Sequence, residues 1–544
     1  MATPGETSGE GVVDLPTSLD TESHSLYHGR GTLEDPYIVE FLPNDPSDPL
    51  NWSAFRKCFY TALITIGVFA VTLTSSAYSA SAEQIIAEFH TSSELFALGI
   101  ALYVLGFAVG PPLWAPMGEL YGRRRPFIVT HVLMVAFVGA TAGCKNIASL
   151  LVFRFLAGTF AASPLTNSGG VIADLFSTNK RGAATCLFAV APFMGPVLGP
   201  IIGGFITITI GWRWVQGFCC IFIGVVAIVG TILLPETYGP VLLRRKARQL
   251  SRKSKKVYIS TLEKTTGGVE AFAVFSKTMK RPWVLLFREP IVFIASIYVS
   301  VLLFREVMKP TTIRDCPDEV QLSILYATIY MFLPAFPIIY ERGRGWNAGI
   351  GSLPFLGIAV GMGLGVTYVI TDDQLRYQKL GKSVTPESRL PPAMVGAVFI
   401  PIGMFGFAWT NYPTMHWSAS VVLAAPFGFG CVAVFTCILI YLVDSYTIYA
   451  ASVMAATAML RSFIGAAFPL FTTQMFTNLG IHWASSIPAF LTAACLPFPF
   501  VMYRYGPKIR MKCKYAHEAA MLMAKMQAKE YEEPVNTKVE EGAE

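Results

Sequence analysis

A chain of 544 residues with only 14% charged residues and a mean hydropathy of +0.51 is not an ordinary soluble protein, which carries roughly a quarter charged residues. The composition, 53% hydrophobic, indicates a membrane protein, because apolar surface facing lipid needs no charged coat. The net charge of +7 does not indicate nucleic-acid binding, since lysines and arginines lie in short clusters between apolar runs. The ten cysteines lack zinc-type spacing, and the sequence predicts no metal and no cofactor.

Residues 1–57 are polar and acidic and are predicted to form a disordered cytoplasmic tail. The segments that follow have the length of membrane spans, because a helix needs roughly 20 apolar residues to cross the hydrocarbon core. In the first half they are 58–80, 94–117, 127–145, 149–173, 183–207 and 214–235. We therefore predict a six-helix bundle over 58–235, followed by a basic cytoplasmic linker over 236–289 that contains "LLRRKARQLSRKSKK".

The second half is predicted to repeat this arrangement over 290–503, with a cytoplasmic tail over 504–544. Its spans are one disturbed segment between 290 and 341, then 346–370, 393–411, 417–443, 449–477 and 481–503. Lysine and arginine are concentrated in alternate loops, and the positive-inside rule places both termini in the cytoplasm. The predicted fold class is an all-α membrane protein with twelve transmembrane helices in two pseudo-symmetric six-helix bundles.

The disturbed seventh span carries seven charged residues between apolar flanks: Arg305, Glu306, Lys309, Arg314, Asp315, Asp318 and Glu319. At about 3 kcal/mol each near mid-membrane, they would cost of order 20 kcal/mol in lipid. Two separate spans here would place the basic residues of 376–389 outside, against the charge rule. Removing 299–321 joins the flanks into one apolar span, and the ends of this piece can be encoded as an intron donor and acceptor. We interpret 299–321 as a retained intron, with a real cytoplasmic or re-entrant insertion as the alternative.

The stretch "WAPMGELYGRRRPF" between the second and third spans is a candidate conformational latch. Gly122 allows a tight chain reversal before Arg123 and Arg124. Glu119 is close enough in sequence to pair with one of these arginines or to face a helix N-terminus. The alternative is an ordinary positive-inside loop.

The stretch "LVFRFLAGTF" places Arg154 inside the fourth span. A charge inside lipid costs several kcal/mol unless it faces a cavity or a partner, so Arg154 is a functional candidate. The alternative is an arginine that snorkels from the outer end of the helix. Asp174 and Arg181 close the same helix and its loop, and Arg461, about a dozen residues into the eleventh span, can reach the cytoplasmic interface.

The fifth span contains "MGPVLGPIIGGF", with Gly195, Gly199, Pro200, Gly203 and Gly204. Three of these glycines recur every four residues and share one helix face, where small residues let another helix approach closely. Pro200 removes a backbone hydrogen bond and permits a kink. The alternative is generic packing of small residues.

These motifs resemble those of the major facilitator superfamily, over about Leu50 to Lys514. The latch stretch resembles the superfamily's loop motif, with Glu119 where Asp is usual, and Arg154 and Gly158 match its fourth-helix motif. The fifth-span glycines match "GxxxGPxxGG" of proton-driven exporters. Further stretches, among them "GWRWVQGF", "LPETYGPVLLRRKARQL" and "RSFIGAAFPLF", resemble the fungal twelve-spanner drug:proton antiporters, which include polyamine, azole and secondary-metabolite exporters.

The resemblance implies proton-coupled export of amphipathic organic compounds by alternating access, with a small-molecule substrate, protons and the lipid bilayer as partners. The protein is expected to be a monomer in the plasma membrane. Aromatic residues crowd the seventh and tenth spans, and the candidate cavity residues are Tyr326, Tyr330, Phe427 and Tyr441, although core or lipid-facing aromatics would look the same. No aspartate or glutamate lies in the middle of a span, so the proton carrier is unassigned and a polycationic substrate is disfavoured.

Other functions remain open at this point. A polyamine or other small-solute transporter would have the same fold, uptake is the rival direction, and a transport-inactive membrane sensor is the competing class. An enzyme is not expected, because the sequence shows no nucleophile–base or metal cluster.

Overall fold

The computed structural model describes residues 27, 29–42, 44–176, 181–260, 317–380, 385–412, 414–446, 450–512 and 521. The helices of the first half are α1 (Ala54–Ala77), α2 (Ala82–Phe89), α3 (Ser93–Val109), α4 (Pro111–Tyr121), α5 (Arg124–Ala142), α6 (Ile147–Leu175), α7 (Arg181–Ile210) and α8 (Trp212–Leu233). Those that follow are α9 (Gly239–Ser254), α10 (Pro317–Phe336), α11 (Ala348–Ser352), α12 (Phe355–Leu380), α13 (Pro391–Trp409), α14 (Trp417–Tyr446), α15 (Ala450–Cys495) and α16 (Pro497–Lys512). The strands are β1 (Tyr37–Val39) and β2 (Tyr258–Ser260), and α10 continues into a π-helical turn over Pro337–Arg342.

The chain divides into two compact units, Met1–Asn51 with Gly239–Glu270 and Trp52–Tyr238 with Ala271–Glu544. In the first, β1 and β2 pair in parallel, with Tyr37 opposite Tyr258 and their ring centroids 4.9 Å apart. Lys246 of α9 forms an ion pair with Asp45 at 2.6 Å. The predicted disorder over 1–57 therefore does not hold for the residues described from 29 onward. A strand of three residues is too short to show an alternating pattern, so the sequence did not reveal it.

The second unit contains the apolar helices, and it confirms the predicted all-α membrane fold class. Ten helices among the described residues are long and apolar enough to span a membrane, and α3 with α4, bent by 41°, makes an eleventh. One of the ten covers Met454–Lys508. Its 55 residues would extend about 80 Å as one helix, far beyond a hydrocarbon core of about 30 Å. Gly480 interrupts it with a φ of 74°, between the predicted eleventh and twelfth spans.

The seventh span is described only from its C-terminal part. Residues 299–316 of the suspected retained intron lie outside the described residues, whereas 317–321 form the first turn of α10. From Gln321 to Arg342 the helix is apolar and largely enclosed by its neighbours. The retained-intron interpretation therefore stays a prediction.

Glycines set the close helix contacts that position the site. A Cβ on Gly158 of α6 would collide with the Tyr103 backbone of α3, and one on Gly361 of α12 with the Ala425 backbone of α14. Between the halves, α7 lies against α10, α11 and α12, and α3 lies against α15. Within the second half, α10 lies along α15. The two halves of this unit therefore meet along α3, α7 and their partners, and the candidate residues below lie on or near these helices.

Candidate functional site

A buried ion pair closes the turn between α4 and α5. Arg123 donates from Nε to Oδ2 of Asp174 at 3.2 Å, and the two side chains are only 8% and 16% exposed. The Tyr238 ring lies 4.7 Å from the guanidinium, and Glu119 adds an electrostatic attraction. Burial alone lowers the pKa of Arg123, but Asp174, Tyr238 and Glu119 together outweigh burial and hold the pKa above its usual value. Arg123 therefore stays charged and tied to the end of α6.

Glu236 supplies the acceptor for the N-terminus of α5. Its Oε1 accepts from the backbone N–H of Arg123 at 2.8 Å, and its Oε2 accepts from that of Arg124 at 3.4 Å. Gly122 has a φ of 88°, and a Cβ there would collide with the Glu236 carboxylate, so only glycine allows this approach. The Arg124 side chain donates to a backbone carbonyl of α8 at 2.9 Å. The structure thus gives Glu236 the helix-terminal role for which the sequence offered Glu119.

The second half repeats this construction. Arg389 contacts Asp373 through Nη1, and its Nε lies 3.5 Å from Oδ2 of Asp444. Arg389 precedes α13 as Arg123 precedes α5, and Asp444 ends α14 as Asp174 ends α6. Each half thus has an arginine before its third span paired with an aspartate near the end of its fourth. We call Arg123, Asp174 and Glu236 the first charge cluster, and Asp373, Arg389 and Asp444 the second charge cluster.

The start of α7 joins the first half to the second charge cluster. A Cβ on Gly182 would lie 2.5 Å from Oδ2 of Asp373 and 3.0 Å from Nη1 of Arg389. Arg181 is attracted by Asp444 and donates to two backbone carbonyls at the end of α6, at 3.3 and 3.4 Å. Burial lowers the pKa of Arg181, and the carboxylates offset this only in part. The two halves are therefore in contact at this end of α7 through partly buried charges.

The predicted glycine face of α7 packs against α1. A Cβ on Gly199 would lie 2.8 Å from the Leu73 carbonyl oxygen and 2.9 Å from the Ala77 nitrogen. Gly195 and Gly203 meet the α1 backbone in the same way, one turn before and one turn after. Two hydroxyls of α1 donate to carbonyl oxygens of α7 at 3.0 and 3.2 Å. The four-residue spacing therefore corresponds to a close helix–helix contact within the first half.

Gly204 and Pro200 have different surroundings from that face. A Cβ on Gly204 would lie 2.5 Å from the Ala348 carbonyl oxygen and 3.1 Å from Ser352 Oγ, both in α11 of the second half. Pro200 lies within α7, which continues as one helical segment from Arg181 to Ile210. The halves thus also meet at the end of α7 opposite Gly182.

Arg154 is enclosed by three helices instead of snorkelling to an interface. Arg154 is only 1% exposed to solvent. Nε donates to the Gly99 carbonyl of α3 at 2.7 Å, and Nη2 donates to the Ser75 carbonyl of α1 at 2.9 Å. The guanidinium lies 4.0 Å from the Tyr78 ring centroid and 5.0 Å from that of Tyr103. Arg154 therefore ties α1, α3 and α6 together through backbone acceptors and ring faces.

Tyr326 and Tyr330 lie where the two halves meet, and we call them the central tyrosine pair. Their ring centroids are 4.9 Å apart, and both residues are buried. The Tyr330 hydroxyl is hydrogen-bonded to the Ser75 hydroxyl at 2.8 Å, which joins α10 to α1. The Arg461 guanidinium of α15 lies 4.9 Å from the Tyr326 ring centroid. A polar and aromatic region therefore extends from Arg154 through Ser75 and the tyrosine pair to Arg461.

The other two candidate cavity aromatics lie apart from this pair. Phe427 packs within the second half, with its ring centroid 5.4 Å from that of Phe332. Tyr441 is near the end of α14, and its hydroxyl would lie 3.3 Å from a Cβ on Gly506 of α16. The structure thus brings together Tyr326 and Tyr330, but not Phe427 and Tyr441.

The second charge cluster was not identified as a site by the sequence reasoning. Asp373, Arg389 and Asp444 looked like ordinary residues of cytoplasmic loops and helix ends. A comparison of the two halves would have found Arg389 and Asp444, because their positions relative to the helices repeat those of Arg123 and Asp174. Such a comparison would not have found Arg461, because its depth depends on which rings surround it.

Comparisons with known proteins agree with this architecture. A model of the Major Facilitator Superfamily matches residues 64–469. The chain is 56% identical over 513 residues to the major facilitator-type transporter sorT of Penicillium rubens, covering 93% of this chain and 94% of that protein. It is 50% identical over 520 residues to the multidrug transporter mdrA of Aspergillus fumigatus, covering 95% and 82%. The solved structure of the proton:xylose symporter XylE has a TM-score of 0.55 and 14% identity, covering 84% of this chain and 96% of that one, a likeness of fold alone.

Proposed function

The chain belongs to the Major Facilitator Superfamily, and from that premise we propose that it exports amphipathic organic compounds by proton-coupled alternating access. The observation that carries the proposal is the pair of contacts between the halves at opposite ends of α7. At one end Gly182 lies against Asp373 and Arg389, and at the other Gly204 lies against α11. Alternating access requires such contacts to open in turn around a central site.

Export, rather than another form of transport, is supported by the relatives and by the fifth-span motif. The relative mdrA is named a multidrug transporter. The glycine pattern of α7 resembles that of proton-driven exporters, and its close packing on α1 fits that resemblance. The central tyrosine pair supplies the aromatic walls that suit amphipathic compounds. Drugs, toxins or secondary metabolites are the substrate class that we propose.

For the membrane arrangement we propose twelve spans, with Gly480 dividing the last two. The alternation of basic loops supports cytoplasmic termini, and the plasma membrane is the proposed location. We propose that the transporter acts as a monomer on a small-molecule substrate without nucleic acid, because one chain supplies both halves of the proposed pathway.

A substrate panel in cells that lack their own exporters tests this function. Cells expressing the protein should accumulate less of its substrates than cells expressing Gly203→Leu at the same membrane abundance. A protonophore should abolish the difference. Equal accumulation in both strains across drugs, dyes and secondary metabolites would contradict export, and greater accumulation with the wild-type protein would indicate uptake.

A further inference from the structure

Within this proposed function, we infer that Arg461 is a substrate-binding residue that pairs with an acidic group of the exported compound. The transporter would then select planar organic anions, such as aromatic carboxylates or phenolates, over cations of the same shape.

Arg461 is buried without a carboxylate partner among the described residues. Arg461 is only 6% exposed to solvent. The guanidinium lies 4.9 Å from the Tyr326 ring centroid and 5.1 Å from that of Phe435. Within the described part of the chain, its Nε has no hydrogen-bond acceptor, and its electrostatic neighbours are the hydroxyls of Tyr326 and Tyr330. A guanidinium fork with free donors is a binding group for a planar oxyanion.

The other deeply buried arginines differ from Arg461 in this respect. Arg154 donates to two backbone carbonyls, at 2.7 and 2.9 Å. Arg123 and Arg389 pair with carboxylates. A charge far inside a membrane bundle is rare and usually faces a partner or a transport pathway. Among the deeply buried arginines of the described residues, Arg461 therefore lacks both a carboxylate and a carbonyl acceptor, and an anionic substrate can supply this partner.

Its position is also where a substrate should bind. The ring centroid of Phe193 in α7 lies 4.5 Å from that of Phe435 and 6.1 Å from that of Tyr326, so a ring of the first half packs against both rings that contact the guanidinium. Movement of the halves would separate Phe193 from these two rings and open the region beside Arg461 between aromatic walls. A flat conjugated acid would then pack its ring between the walls and place its oxygens on the guanidinium. Arg154 adds positive charge on the other side of the tyrosine pair, which favours anions further.

Binding to the purified protein in detergent tests the inference with three probes of one shape: 2-naphthoate, methyl 2-naphthoate and 2-naphthylmethylammonium. The readout is the shift of the melting temperature with probe concentration. The wild-type protein should bind naphthoate more tightly than the ammonium compound. Arg461→Gln should weaken naphthoate binding by about 10- to 100-fold and leave the ester unchanged. The matched control Arg342→Gln, at an exposed arginine, should bind all three as the wild type does.

A second variant keeps the test decisive if Arg461→Gln does not fold. Arg461→Lys keeps the charge but loses the planar fork, so it should weaken naphthoate binding and retain the preference over the ammonium compound. Unchanged naphthoate binding in either variant, or a wild-type preference for the ammonium compound, would overturn the inference. Export of neutral compounds that is insensitive to Arg461→Gln would leave the proposed transport function intact. If the wild-type protein exported none of the tested compounds, the proposed function itself would be wrong.

Discussion

Replacement of Gly199 by alanine tests the contact between α7 and α1 with the smallest possible change. A Cβ at this position would lie 2.8 Å from the Leu73 carbonyl oxygen and 2.9 Å from the Ala77 nitrogen, and it would collide with Ser76 Oγ. An ordinary Cβ contact lies at 3.4–4 Å, so the two helices would have to separate by about 0.5–1 Å. Separation weakens the hydroxyl–carbonyl hydrogen bonds between α1 and α7 as well.

Overpacking of this kind costs about 1–3 kcal/mol. Alanine also stabilises a helix by about 1 kcal/mol relative to glycine, which partly hides the packing effect. Gly363 of α12 provides the matched control, because it is helical, exposed and has nothing within 4 Å of its would-be Cβ. The difference between Gly199→Ala and Gly363→Ala therefore isolates the packing contribution, at about 1–3 kcal/mol.

The assay is thermal unfolding of the purified variants, followed by efflux from cells that express each at equal abundance. Gly363→Ala should melt at or above the wild-type temperature and transport normally. Gly199→Ala should melt below the wild type and transport more slowly, and the bulkier Gly203→Leu should lose efflux while still reaching the membrane. A Gly199→Ala protein that melts with Gly363→Ala would refute the close contact.

Arg123→Ala and Arg389→Ala should each lower the maximal efflux rate far more than the apparent affinity. Each change leaves a partly buried carboxylate without its counter-charge near a helix end, which should cost about 3–5 kcal/mol of stability. Both arginines lie outside the central tyrosine pair. Arg125→Ala, at an exposed neighbour, is the control, and altered affinity with an unchanged maximal rate would contradict the latch. Transcript sequencing should show a dominant message without codons 299–321. A dominant message that includes them, from cells with active efflux, would remove the retained-intron interpretation.

Hydropathy alone located the spans well, because lipid imposes a length and a polarity that any sequence must meet. It did not predict the 41° bend between α3 and α4, although Pro111 and Pro112 lie at the bend. The glycine face of α7 was predictable for a similar reason. Spacing along a helix fixes which residues share a face. A face made of glycines has no side chains, so a neighbouring helix can pack closely against it.

Partners distant in sequence could not be predicted in this way. Arg123 pairs with Asp174, whereas Glu119 was its nearest acidic neighbour along the chain. Whether Arg154 snorkels or is enclosed depends on the carbonyls of two other helices, which its own span does not reveal. From its position in the span, Arg461 could have reached the cytoplasmic interface, and the structure instead encloses it between Tyr326 and Phe435. Tertiary packing decides each of these cases.

Transport by the purified protein in liposomes tests the central claim most directly. The vesicles carry an imposed pH difference and a compound that the cellular panel identified as exported. The account predicts concentrative accumulation of the compound in vesicles with an acidic lumen, and its loss when a protonophore collapses the gradient. Accumulation that is independent of the pH difference would contradict proton coupling, and a failure to move any exported compound would contradict transport by this chain.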